Sequence, residues 1–308
     1  MNLHPGFQKN VPSILRSLFK LRPYASYFAR HFGYELVGEK GDWWNLPSYK
    51  LFARDLPEKI KKGNEDPYYS PFKVDITSIT SRVGFSYYED GWHPFLETLK
   101  EYNENPNLRF QDSTLARLYQ NYCPNNVQEV LLDHIKNPLK PFCDWPPTNE
   151  FIRSVWTLGK PGVRSFMNIQ GKQLPTSGWI FYGPHDQEYG EREFRRLISV
   201  YESIKNNGYN AGLTNMDPVN GYFLKRGNDY RFVLLQGNHR VSVLKALGYR
   251  EVDVVIRKGH PAIVDHADLY RWTKEGGGIY PSSMVENLFE TLFNATGLQK
   301  AHRYGLLK

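Results

Sequence analysis

The sequence predicts an α+β protein, with sheet and helices in the C-terminal half preceded by a mainly helical and irregular, aromatic-rich N-terminal region. Three observations carry this expectation. Two β-rich runs, Tyr222–Leu224 and Arg231–Leu235, flank a Gly-Asn-Asp centre with the chemistry of a hairpin turn. From Glu191 to Asn207 the apolar residues Phe194, Leu197, Ile198, Tyr201 and Ile204 step by three and four, and Gly208 stands where a C-cap belongs. Finally, the second β-rich run passes through Gln236-Gly237-Asn238-His239-Arg240 directly into the helical spacing of Val241, Val243, Leu244 and Leu247.

Composition sets the outer limits. The 308 residues are enough for one large domain or two ordinary ones, and an apolar fraction of 40% with 23% charged residues is globular rather than disordered. Against 39 Lys and Arg stand 32 Asp and Glu, a net charge of +7 that favours anionic partners. The two cysteines, Cys123 and Cys143, are too few for a structural zinc site and form no C-x-x-C pair, as in a reducing compartment. No run is long and apolar enough to span a bilayer and the first residues do not read as a signal peptide, so a cytoplasmic location is expected.

Taken in order, residues 11–34 form a basic amphipathic opening interrupted by Pro23. It is either a helix packed on the body or a dock onto an acidic membrane surface, which would place the protein peripherally on that membrane. Residues 38–71, with Trp43-Trp44 and Tyr68-Tyr69, read as loops pinned by aromatics. Helices are expected after Pro94, around 112–122, where Asp112-Ser113-Thr114 supplies a cap, and around 126–136. The proline-dense stretch 137–147 reads as a linker, which divides the chain into 1–147, an acceptor-binding or docking region, and 148–308.

In the second part, Trp179–Tyr182 reads as a buried strand ended by Gly183-Pro184, followed by the polar patch His185, Asp186 and Glu188. That patch is either a metal-binding turn or a plain exposed one. Val252–Ile256 is a further strand, Gly276-Gly277-Gly278 a lid or a linker, and Val285–Leu292 a final helix.

A glycine between strand and helix brings backbone close to a ligand, and the first helical turn presents N–H groups at the positive end of the dipole. Arg240 adds a planar fork for phosphate oxygens and His239 a group able to pass a proton. A structural turn with Arg240 paired to a carboxylate is the competing reading.

The run Tyr201-Glu202-Ser203-Ile204-Lys205-Asn206-Asn207-Gly208, the hairpin, and then Gln236-Gly237-Asn238-His239-Arg240 through Ala246-Leu247-Gly248 resemble the nucleotide-binding domain of the ParB and sulfiredoxin superfamily. The likeness covers about 178–256. It implies a mixed sheet, with the C-terminal remainder as a helical extension. It also implies binding of ATP, or another nucleoside triphosphate, with magnesium at the Gly-x-x-Arg box formed by Gly237, Asn238, His239 and Arg240, with Ser203 and Lys205 assisting. An acid ahead of the long helix (Asp186, Glu188 or Glu191) would serve as base or metal ligand, with Asp186, Glu188 and His239 as the catalytic set and Asp186 and Glu188 on the metal.

Two departures bear on activity. Asn238 stands where sulfiredoxin has its cysteine, which removes the nucleophile of sulfinate repair, and Gln236 replaces an acid that many members carry. No P-loop or protein-kinase signature occurs. The expectation is therefore a nucleotide-dependent phosphotransferase acting on a small-molecule or glycan hydroxyl. The alternative is a non-catalytic nucleotide switch or DNA-binding module; for the latter, no helix-turn-helix follows the box.

Overall fold

The computed structural model describes residues 71–125, 127–131, 156, 180–209, 218–257, 261–273, 275 and 281–307. The basic opening, the Trp43-Trp44 and Tyr68-Tyr69 segments, the proline-dense linker and the triple glycine lie outside these residues. Strand β1 (Phe72–Asp75) and strand β2 (Ile79–Ser81) frame a 3-10 turn capped by Asp75, whose carboxylate accepts from the Thr77 N–H at 2.8 Å. There follow α1 (Pro94–Glu104), α2 (Thr114–Asn121), α3 (Val127–Leu131) and α4 (Gln187–Asn207). Then come β3 (Asn220–Arg226), β4 (Asp229–Gln236), α5 (Asn238–Ala246), β5 (Glu251–Ile256) and β6 (Ile263–Asp265). A 3-10 segment (His266–Trp272), α6 (Ser282–Asn294) and α7 (Leu298–Arg303) complete the chain.

The protein is a mixed α+β molecule with one mixed sheet of six strands, ordered β1-β5-β3-β4-β2, with β6 beside β3. β3 and β4 form the expected hairpin, antiparallel from Gly221↔Leu234 to Arg226↔Asp229, and Gly227 turns it at φ 59°. β5 and β6 both run parallel to β3, against its first and second halves. β2 lies parallel to β4 and β1 antiparallel to β5.

β1 and β2 correct the reading of the N-terminal region as only helical and irregular. They precede the boundary placed near Pro147, yet they sit in the sheet with β3 to β5 and their side chains join the same core. Strands of four and three residues are too short to show an alternating pattern; pairing with β5 and β4 makes them strands. A second correction concerns Trp179–Tyr182. Residues 180 and 181 form a turn, not a strand. Phe181 and Tyr182 are buried because Gly183 docks on the end of α2, its N–H donating to the Tyr122 carbonyl at 2.8 Å. A Cβ on Gly183 would stand 1.9 Å from the Tyr119 carbonyl oxygen, so only glycine permits this approach.

α4 begins earlier than its apolar spacing indicates, because Asp186 caps it by accepting from the Tyr189 N–H at 2.6 Å. α1, α4 and α5 pack mutually and form the helical layer that carries the site.

Candidate functional site

β4 ends at Gln236, and the chain turns into α5 through Gly237, which takes φ 105° and ψ 17° as the N-cap. No side chain caps the first turn of α5, and a Cβ on Gly237 would meet Val219 Cγ2 at 2.9 Å. The glycine is thus required by its left-handed backbone and by its neighbour together. The result is an amide-bearing helix start at the end of an inner strand of the sheet.

Three arginines attach to this corner. Arg82, immediately after β2 and buried, donates from Nη2 to the Leu235 carbonyl. Arg257, just past β5, reaches the Gln236 side-chain oxygen at 3.3 Å; the same oxygen accepts from Asn220 Nδ2 at 3.2 Å. Arg240 sits half-buried in the first turn of α5 beside Tyr209. Burial pushes the Tyr209 hydroxyl pKa up, and the Arg240 guanidinium opposes that rise. Sequence reading found Arg240 alone; Arg82 and Arg257 flank short strands and carry no motif.

Beneath the corner lies a polar network in an aromatic setting. Tyr87 Oη stands 2.8 Å from Ser242 Oγ, 3.2 Å from His93 Nε2, and donates to the Asn238 carbonyl at 3.2 Å. His93 Nδ1 accepts from the Phe95 N–H at 3.3 Å, which places the proton of the neutral ring on Nε2, toward Tyr87. Burial, followed by the neighbouring His239, holds the His93 imidazole well below its ordinary pKa.

The expected site residues are placed as follows. Gly237, Asn238, His239 and Arg240 are brought together by sequence. Asn238 (6% exposed) and His239 (8%) turn into the protein, however, and Asn238 Oδ1 is sealed without a hydrogen bond. His239 stacks on Phe95 at 4.8 Å between planes 8° apart, and its Nε2 stands 3.4 Å from Glu193 Oε2. Glu193, buried on α4, was not anticipated; it sits among polar positions of the helix and only the tertiary contact distinguishes it.

Asp186 is the α4 cap and Glu188 is exposed in its first turn, while Glu191 accepts from Gln187 Nε2 at 2.8 Å. Asp186 lies seven positions before Glu193, roughly 10 Å along the helix. His185 stacks on Tyr189 at 3.8 Å with the Tyr119 ring edge-on at 4.6 Å. Ser203 is exposed and its carbonyl accepts from Asn207 Nδ2; Lys205 lies over the Tyr201 ring at 5.4 Å. Both belong to the last two turns of α4, away from Glu193 along the helix.

Among the described residues one group offers three metal-type ligand atoms, His266, Glu286 and Glu290; Asp186 and Glu188 belong to no such group. Glu290 is held by both of its oxygens on Arg226 Nη1, at 2.9 and 2.8 Å, and Glu286 stands 2.8 Å from His266 Nε2. This reads as an ion-pair network joining α6 to β3.

Fold and site together define a mixed α+β protein with an arginine-flanked, glycine-turned helix start. Comparison with protein-family models, with curated proteins and with solved structures found no match.

Proposed function

We propose that the chain binds a nucleoside triphosphate, ATP in the first instance, at the Gly237 corner of a ParB/sulfiredoxin-like fold and transfers its terminal phosphoryl group to a small-molecule or glycan hydroxyl. The observation that carries this reading is the start of α5: a left-handed glycine, no side-chain cap, and three arginines bound to or part of residues 235–240. Phosphoryl transfer asks chiefly for clamped phosphates and a group that takes the acceptor's proton. Arg240 and the first-turn amides clamp, and His239 takes the proton. Asp186 and Glu188 do not form a magnesium site with a third ligand among the described residues, so magnesium enters with the nucleotide and no step is assigned to it. The same proposal places the protein in the cytoplasm. Docking on an acidic membrane through residues 11–34 belongs to the same proposal, with DNA the less favoured partner.

Gln236, held between Asn220 and Arg257 rather than acidic, favours a second reading, a nucleotide-binding switch without turnover. The test is thermal unfolding with ATP, ADP, CTP and GTP, each with magnesium, on the wild type and on Arg240→Ala, with ADP release followed in parallel. Ligand at about 100 times its Kd adds about 2.7 kcal/mol to folded-state stability. Stabilisation by one nucleotide that is lost in Arg240→Ala supports the corner; stabilisation unchanged in the variant removes it. A shift without ADP release, also when glycerol and simple sugars are supplied as acceptor hydroxyls, selects the switch.

A further inference from the structure

We propose that Glu193 is a positioning residue that fixes the tautomer of His239, turning Nε2–H inward and leaving Nδ1 as the nitrogen that accepts a proton. This deepens the phosphotransferase reading and rests on it for the transfer step, but not for the tautomer.

Three observations converge. Glu193 Oε2 and His239 Nε2 are 3.4 Å apart, both sealed from solvent, and neither has a hydrogen bond to any other group. Two buried polar atoms facing only each other are each costly unless they pair, and a proton on Nε2 pairs them. Phe95 is stacked on the ring almost in parallel, so the imidazole plane is held from a second element, α1. Finally, the Glu193 carboxyl is held below the usual carboxylate range, by His239 first and against the opposing effect of burial. The other charged groups facing the pair are Arg196, 3.8 Å from Glu193 Oε1, and Arg192, both on α4; His93 faces His239 from the start of α1. A carboxylate that orients a base through its far nitrogen is a general device for activating hydroxyl groups.

In the transfer step the acceptor oxygen forms its bond to the γ-phosphorus while the bond from that phosphorus to the β,γ-bridging oxygen breaks. ADP leaves with the electron pair, and the hydroxyl proton goes to His239 Nδ1. Glu193 then faces an imidazolium at Nε2 and balances its charge.

Long-range proton–nitrogen spectra of the uniformly 15N-labelled full chain test this at about pH 8, above the model-peptide imidazole value, with the His239 signals assigned through His239→Gln. The expected result is a protonated Nε2 and an unprotonated Nδ1 in the wild type, shifting to an averaged pair of nitrogens in Glu193→Ala. A protonated Nδ1 in the wild type, or an unchanged Nε2–H form in Glu193→Ala, overturns the assignment. The other histidine signals of each variant report whether it is folded, and Glu193→Gln, close to isosteric, provides a second variant. With ATP, magnesium and glycerol or simple sugars as acceptor hydroxyls for the probe, Glu193→Gln is expected to lower the kcat of ADP release on the order of 100-fold with KM unchanged. A rise in KM at constant kcat would give Glu193 a binding role and overturn the positioning role. A wild type that neither binds nor turns over ATP defeats the phosphotransferase reading, while the nitrogen spectra still decide the pair.

Discussion

His93 carries two jobs on one ring: it caps α1 through Nδ1 and ties Tyr87 through Nε2–H, and the cap, in which Nδ1 accepts, needs the neutral form. Its folded pKa lies below the ordinary value, so its contribution to stability is complete above the imidazole range and falls away as pH drops from there toward the lower folded value. His93→Asn keeps a capping oxygen and removes the titration. It is expected to cost about 1–2 kcal/mol at about pH 8, through the lost bond to Tyr87, and to lose less stability than the wild type on going to about pH 5. Urea unfolding at the two pH values checks this; parallel losses in both proteins would remove His93 as the source. At this scale the Gly237 turn was legible in the sequence because backbone conformation is a property of a single residue. Glu193 and Arg82 were not, since each owes its place to a partner distant in sequence, His239 for one and the Leu235 carbonyl for the other.

Among the elements, α4 and the β3–β4 hairpin followed from periodicity and turn chemistry, and α7 did not. Six residues long, α7 buries a charged side chain: Lys300, 6% exposed, donates from Nζ to the Val83 carbonyl at 2.8 Å, to Tyr122 Oη at 3.1 Å and to the Val130 carbonyl. The same ammonium lies over the rings of Phe85 and Tyr122. A lysine in a short basic helix reads from sequence as solvated; here it joins α7 to α3 and to the loop after β2. Lys300→Met keeps the length of the side chain and removes the donor to the buried Val83 and Val130 carbonyls, so it is expected to cost about 3 kcal/mol. Urea unfolding measures the loss, and a change within about 0.5 kcal/mol, the range of ordinary surface substitutions, would show that Lys300 is dispensable.

Across the whole molecule, the segment that carries the glycine corner is completed from the N-terminal side. β2 pairs with β4, β1 pairs with β5, and Phe95 of α1 stacks on His239. Without residues 72–104, β4 would present an open edge and the apolar face of α5 would lose its cover. A fragment of residues 148–308 is therefore expected to lack a cooperative urea transition and native near-ultraviolet dichroism, whereas the full chain shows both. A sharp transition in the fragment would show that it folds alone.

The amino-acid order by itself determined the long helix, the hairpin and the glycine turn into α5, since these depend on periodicity, capping and backbone conformation within a few residues. Tertiary structure alone decided that β1 and β2 are strands and that Glu193 meets His239. Those outcomes are settled by burial and pairing between segments far apart in the chain, and no local preference encodes them.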